Sequence, residues 1–344
     1  GTGTYDAITH PAAFTGTGSI NIYTPLQGNG SWINAADAAV SWTDSAMWSG
    51  GVIAYGVGTT ADFSNGLDHL VSKTVDLPID ILLGQLIWRD NGSPNRDLIF
   101  SSQNASHLVM ATTTGAPLIW SKNRSIYIDV PISGNNGLNL QSDQSTTSGA
   151  TLRSRNDYSG LTTILDGGGP CTVAYPGDLG NSDVVVNGNT SDAGVELVLQ
   201  HSLALKPASQ FQINSGALVQ LDNASLFPGI ADPSDIYVKT LTLGVTSLPP
   251  GIYSAVTHPA YFTGSGEIVV QVPRQSFTSS IANEPPADIS LSWKSVYGKV
   301  YDIWESTDLT NGSWAEIGTV AATPPDNQST ITPPSEPAAF YRIQ

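Results

Sequence analysis

The chain has 344 residues, a formal net charge of −16 and only 12% charged residues, against 40% hydrophobic ones with eight Trp and twelve Tyr. That much apolar and aromatic surface excludes a disordered chain and is enough for two or three domains. The thirteen Lys and Arg are scattered singly, so no basic cluster exists to neutralise phosphates: a nucleic-acid partner is excluded and an anionic membrane surface disfavoured.

Residues 3–20, GTYDAITHPAAFTGTGSI, return at 251–268 as GIYSAVTHPAYFTGSGEI, with twelve of eighteen positions identical. The first copy, residues 1–23, is expected as an N-terminal β arm repeating the 249–271 phrase. Residues 24–40 are expected as a hinge, because TPLQGNGSWINAADAA carries turn residues and no sustained period. The start at Gly1, without Met or signal peptide, reads as a processed or chosen end and fits a mature secreted protein, extracellular or on the cell surface.

Residues 41–270 are expected as one body. Its opening, SWTDSAMWSGGVIAYGVGTTADFS (41–64), is dense in aromatic residues and glycine. Trp42, Trp48 and Phe63 are expected to plug an open end of the body, the alternative being a sugar platform of stacked rings. Beyond it, LPIDILLGQLIW, SIYIDVPISG, VELVLQHSLAL and IYVKTLTLG are strand-length, alternate, and are separated by polar turns. No sustained helical period occurs, and several runs read as apolar on both faces. The expected class is all-β, a right-handed parallel β-solenoid, with a jelly-roll or β-sandwich as the alternative. No stretch reaches the roughly 18 apolar residues of a membrane helix, so no membrane span is expected.

Residues 271–288 are Pro-, Ser- and Asn-rich and are expected as a linker. Residues 289–344 then alternate as short strands, expected as a small C-terminal β-sandwich module with Trp293, Tyr301, Trp304, Trp314 and Tyr341 in its core.

The run WTDSAMWSGG with GTTADF, then SLALKPASQFQINSGALVQLDN, LTLG and PPGIYSAVTHPAYFTGSGEIVV resembles autotransporter-associated β-strand repeat proteins, which are secreted bacterial solenoid passengers. The ending YDIWESTDLTNGSWAEIGTV and FYRIQ resembles small modules that close large secreted proteins of Verrucomicrobia-type bacteria. The resemblance implies a solenoid and carries no catalytic signature. One departure is that a phrase expected to close the solenoid also stands ahead of it, read either as the tail of an earlier repeat unit or as an extension that docks on a neighbouring molecule.

The residues that carry chemistry give little support to an enzyme. His10 and His258 occupy equivalent places before Pro, which suits a structural hydrogen bond in both copies; His69, His107 and His201 stand alone, without metal-ligand spacing. The lone cysteine, Cys171, excludes an internal disulfide framework and a cysteine-based zinc site. It is expected as a buried small residue, with intermolecular pairing as the alternative.

Asp90 with Asp97, Asp143 with Asp157, and Asp178 with Asp183 are the carboxylate pairs that a polysaccharide lyase or hydrolase would need; the competing reading is that such Asp residues organise turns. DGGGP (166–170) reads as a tight turn, and the eight Asn-X-Ser/Thr sequons as incidental to an Asn-rich bacterial chain. No catalytic residue, cofactor or metal is expected.

An open sheet end invites pairing, so the expected function is structural: a subunit of an extracellular or cell-surface fibre, assembled head to tail by N-terminal β-strand addition. Tyr5, Ile8, Phe14, Ile20 and Ile22 are the expected apolar anchors, His10 and Pro11 shape the segment between strands, and Gly16 and Gly18 allow turns that a Cβ would obstruct. The expected partners are further copies of the chain and extracellular polysaccharide. A carbohydrate-binding adhesin and a solenoid polysaccharide lyase or hydrolase are the alternative functions.

Overall fold

The computed structural model describes residues 3–6, 19–22, 26–33, 39–64, 72–89, 97–122, 124–143, 149–165, 167–188, 194–222, 235–270, 278–280, 289–295, 300–307, 314–323, 326–332 and 340–343. Within them the protein is all-β, and helix is limited to the short turns Ser45–Met47 and Ser49–Gly51. Among the described residues one sheet holds ten strands and another nine. The chain passes from a strand of the first to a strand of the second and back, and sheet neighbours are parallel except at one closing strand, Thr246–Leu248.

This arrangement follows from alternation. In Leu138–Asp143 the residues Leu138, Leu140 and Ser142 are buried, while Asn139, Gln141 and Asp143 point outward. Parallel pairing in register then stacks like on like. In the ten-stranded sheet Leu86, Ile119, Leu140, Ile164, Val186, Ile213 and Leu243 lie side by side. In the nine-stranded sheet Phe100, Ile128, Leu152, Val173, Leu199 and Leu221 do the same. All of these are buried in one continuous core, and each contributes roughly 1.5–3 kcal/mol of burial.

The expectation of strands apolar on both faces is corrected for three strands, whereas Glu196, Leu197, Val198 and Leu199 are buried in succession. Ile87, Trp120 and Tyr127, which suggested it, point outward and are half-buried. Stacked neighbours cover part of an outward side chain without making that face a core.

At the start of the stack, Trp32, Trp42, Trp48 and Phe63 are buried, Trp32 and Trp42 each lying 4.9–5.6 Å from both Trp48 and Phe63 between ring centroids, and Phe100 joins them. The indole N–H of Trp48 donates to the Trp42 carbonyl at 2.8 Å, and that of Trp42 to the Ala54 carbonyl at 2.9 Å. Trp42 and Trp48 are 0% and 1% exposed, so neither offers a ring face to a sugar. Residues expected as a hinge, 24–40, contribute Leu26–Gly28, Gly30–Ser31 and part of Val40–Ser41 as strands at this end, because Trp32 is drawn into the aromatic cluster.

Two further three-stranded antiparallel sheets follow in the chain: Thr278–Ser280, Ile289–Lys294 and Asp326–Ile331, then Ala315–Ala321, Val300–Ser306 and Phe340–Ile343. They share a separate core of Leu291, Trp293, Tyr301 and Ile303. The expected linker 271–288 lends Thr278–Ser280 to the first of them. Trp304 and Trp314, expected in that core, are instead half-buried against the Arg342 guanidinium, their ring centroids 5.1 and 4.6 Å from its carbon. A cation held against rings keeps them at the surface.

Candidate functional site

The described strands of the duplicated phrase pair in the same way in both copies. In the second copy Gly251–Ser254 pairs antiparallel with Glu267–Val270, placing Gly251 opposite Val270 and Tyr253 opposite Ile268. In the first copy Gly3–Asp6 pairs antiparallel with Ser19–Ile22, placing Gly3 opposite Ile22 and Tyr5 opposite Ile20. Each partner is displaced by the same 248 positions, so the two pairs share one register. Tyr5, Ile20 and Ile22 lie in these strands; Ile8, His10, Pro11, Phe14, Gly16 and Gly18 lie outside the described residues.

The second copy is tied to the large stack. Glu267–Val270 uses its other edge to pair in parallel with Asp235–Val238, and Phe262–Gly264 extends the nine-stranded sheet by pairing with Leu218–Leu221. Phe262 and Ile268 are buried in the main core. Gly264, the next residue in the Leu199–Leu221 ladder, has φ +87, and a Cβ there would lie 2.2 Å from the Leu221 carbonyl oxygen. That carbonyl also accepts the Gly266 N–H at 3.0 Å. The glycines of FTGSG thus let two backbones meet where a side chain would hold them apart. Among the described residues, Gly3–Asp6 and Ser19–Ile22 pair only with each other.

The segment between the strands of the second copy is a set of turns. The Ser254 carbonyl accepts the N–H groups of Thr257 and His258 at 3.1 and 2.8 Å, and the His258 carbonyl those of Tyr261 and Phe262 at 3.0 and 3.1 Å. The Tyr253 hydroxyl donates to the Pro249 carbonyl at 2.6 Å, and the His258 ring meets the Tyr253 ring edge-on at 5.2 Å. Burial pushes the Tyr253 hydroxyl pKa above its ordinary value. Three strands at this end each keep an unpaired edge among the described residues: Thr246–Leu248, Gly251–Ser254 and Phe262–Gly264.

The carboxylates are engaged in holding the backbone. Asp178, 3% exposed, accepts the N–H groups of Asn156 and Gly180 at 3.0 and 2.9 Å and takes the Lys206 ammonium at 2.7 Å. Asp183 accepts the Gln210 N–H at 2.8 Å, and Asp80 the His107 N–H at 2.8 Å, each bridging one strand layer to the next. Asp143 accepts from the Gln141 amide at 3.1 Å, Asp157 is exposed, and Asp90 lies outside the described residues. Burial raises the Asp97 pKa, while Arg153 and Arg124 pull it back.

His201 is buried and accepts the Leu203 N–H at 3.2 Å, and His69 lies outside the described residues. Cys171 is buried against the Ser142 hydroxyl at 3.6 Å, and burial pushes its thiol up to about 12. Among the described residues no group of three or more His, Cys, Asp or Glu could hold a metal ion, and no helix is long and apolar enough to cross a membrane.

Comparison with protein-family models, curated proteins and solved structures finds no match. What sequence reasoning missed is the surroundings of the second copy: Leu218–Leu221 and Asp235–Val238 carry no local signal that marks them as its partners.

Proposed function

We propose that this chain is a secreted structural protein, a non-enzymatic β-solenoid subunit that assembles head to tail into an extracellular or cell-surface fibre. The passage of the chain between two large parallel sheets supports a solenoid, with the two small antiparallel sheets as a β-sandwich module behind it. One observation carries the assembly: a strand pair that closes the end of this stack at Gly251–Val270 is repeated, in the same register, ahead of the stack at Gly3–Ile22.

In this reading the closing element that stands ahead of the stack docks on the end of another copy of the chain. The far end offers the edges of Thr246–Leu248, Gly251–Ser254 and Phe262–Gly264, and strand addition there gains main-chain hydrogen bonds. Joining one end to the opposite end does not close on itself, so it propagates as a fibre. Tyr5, Ile8, Phe14, Ile20 and Ile22 supply the apolar anchors of this contact.

Deletion of residues 1–23 is the test. The truncated chain is expected to keep its β-sheet circular dichroism and to sediment as a monomer, while the intact chain forms filaments visible by negative-stain microscopy. Filaments that persist after the deletion, or an intact chain that stays monomeric at every concentration, would refute assembly through this segment.

A further inference from the structure

On the outer face of the nine-stranded sheet, the strands Ile126–Ile128, Ala150–Leu152 and Cys171–Val173 lie next to one another. Their outward residues Tyr127, Thr151 and Thr172 stand in one row, at the spacing of about 4.8 Å between parallel strands. Beside that row run Arg153, Ala174 and Gln200, each tied by its N–H to the preceding strand. Small side chains at Thr151, Thr172 and Ala174 sit between larger ones, Tyr127 with Arg153 on one side and Gln200 on the other. The result is a trough of about 340 Å³ across the strands.

Two properties of the trough select its occupant. Its charges are balanced: both guanidinium nitrogens of Arg153 that face Asp129 reach its carboxylate, at 2.6 and 2.9 Å, and Arg124 and Arg153 both act on Asp97. Three of its uncharged polar groups are open: among the described residues the hydroxyls of Thr151 and Thr172 and the side-chain amide of Gln200 make no hydrogen bond, while the Ser125 hydroxyl is engaged by Asp97. The Arg153 guanidinium carbon lies 4.1 Å from the Tyr127 ring centroid and covers one face of that ring, and the rest of the ring stands as a wall of the trough.

We infer that this trough binds a neutral oligosaccharide, one or two rings at a time. Sugar hydroxyls match the unpaired hydroxyls and the amide, whose polar atoms both donate and accept. The C–H faces of a pyranose match an aromatic wall. An anionic glycan finds no uncompensated cation here and meets a molecule of net charge −16. This site stands independently of the assembly proposed above, since it uses none of residues 1–23.

The test titrates the full chain by calorimetry with maltohexaose, cellohexaose, laminarihexaose, xylohexaose and mannohexaose, and with hexagalacturonate as the anionic counterpart. At least one neutral hexamer is expected to bind. Thr172→Trp fills the trough from an outward sheet position and should abolish that binding without altering the circular dichroism; Thr151→Val with Gln200→Ala should weaken it about tenfold or more. Gln212→Trp, on the other large sheet, is the control that should leave it unchanged. No binding by any neutral hexamer, binding that survives Thr172→Trp, or preference for hexagalacturonate would each overturn the inference.

Discussion

Gly264→Ala isolates the contact that closes the stack. At φ +87 a residue with a Cβ carries about 1–2 kcal/mol of backbone strain. The new methyl would stand 2.2 Å from the Leu221 carbonyl oxygen, a backbone atom that cannot rotate aside. Relief requires the strand Phe262–Gly264 to lift from Leu218–Leu221, at roughly 1–3 kcal/mol for the overpacking. The Gly266 N–H bond to the same carbonyl goes with it, at about 1 kcal/mol.

The sum is on the order of 3–6 kcal/mol, a factor of roughly 10² to 10⁴ in the closed-to-open ratio at this end. Because each layer of a stacked sheet contacts only its neighbours, the loss should stay local. Hydrogen exchange followed by mass spectrometry is therefore the assay: peptides covering 218–222 and 251–270 should exchange faster by about two to four decades, and peptides covering 72–89 should not change. Equal exchange at 251–270 in variant and parent would refute the close approach at Gly264 as the feature that closes the end.

Trp48→Ala removes a fully buried indole that touches Trp32, Trp42 and Phe63 and donates to the Trp42 carbonyl, so it should lower stability by about 3–5 kcal/mol and speed exchange in residues 39–64, read by the same experiment. Alkaline pH should destabilise the protein partly through Cys171. Burial holds its folded pKa up at about 12 against 9.0, so the unfolded chain releases the proton first and stability falls as pH rises from about 9 toward 12. Urea midpoints measured between about pH 8 and pH 11 should fall less steeply for Cys171→Ala than for the parent, and equal slopes would count against a buried thiol.

Much was legible from local pattern alone. Alternation in segments such as LNLQSD specifies which residues face inward, whatever the neighbouring strand is, because successive side chains in a strand point to opposite faces. The density of Trp and Phe in 41–64 foretold their burial, since rings of that size are covered wherever the fold allows. The duplicated phrase is matched by a strand pair of shared register in each copy, Tyr5 with Ile20 and Tyr253 with Ile268.

What tertiary structure alone decided is which strands meet. Gln85 pairs with Leu118, 33 residues on, yet Leu118 pairs with Asn139, only 21 residues on, so the stack has no fixed period for a sequence to display. Turns of unequal length set each distance. For that reason the trough beside Tyr127, built from three strands, and the contact of Gly264 with Leu221, 43 residues apart, leave no mark in either local segment. Parallel pairing is made through backbone groups that every residue carries, and only the lengths of the connections, fixed once the chain has folded, choose which of them come together.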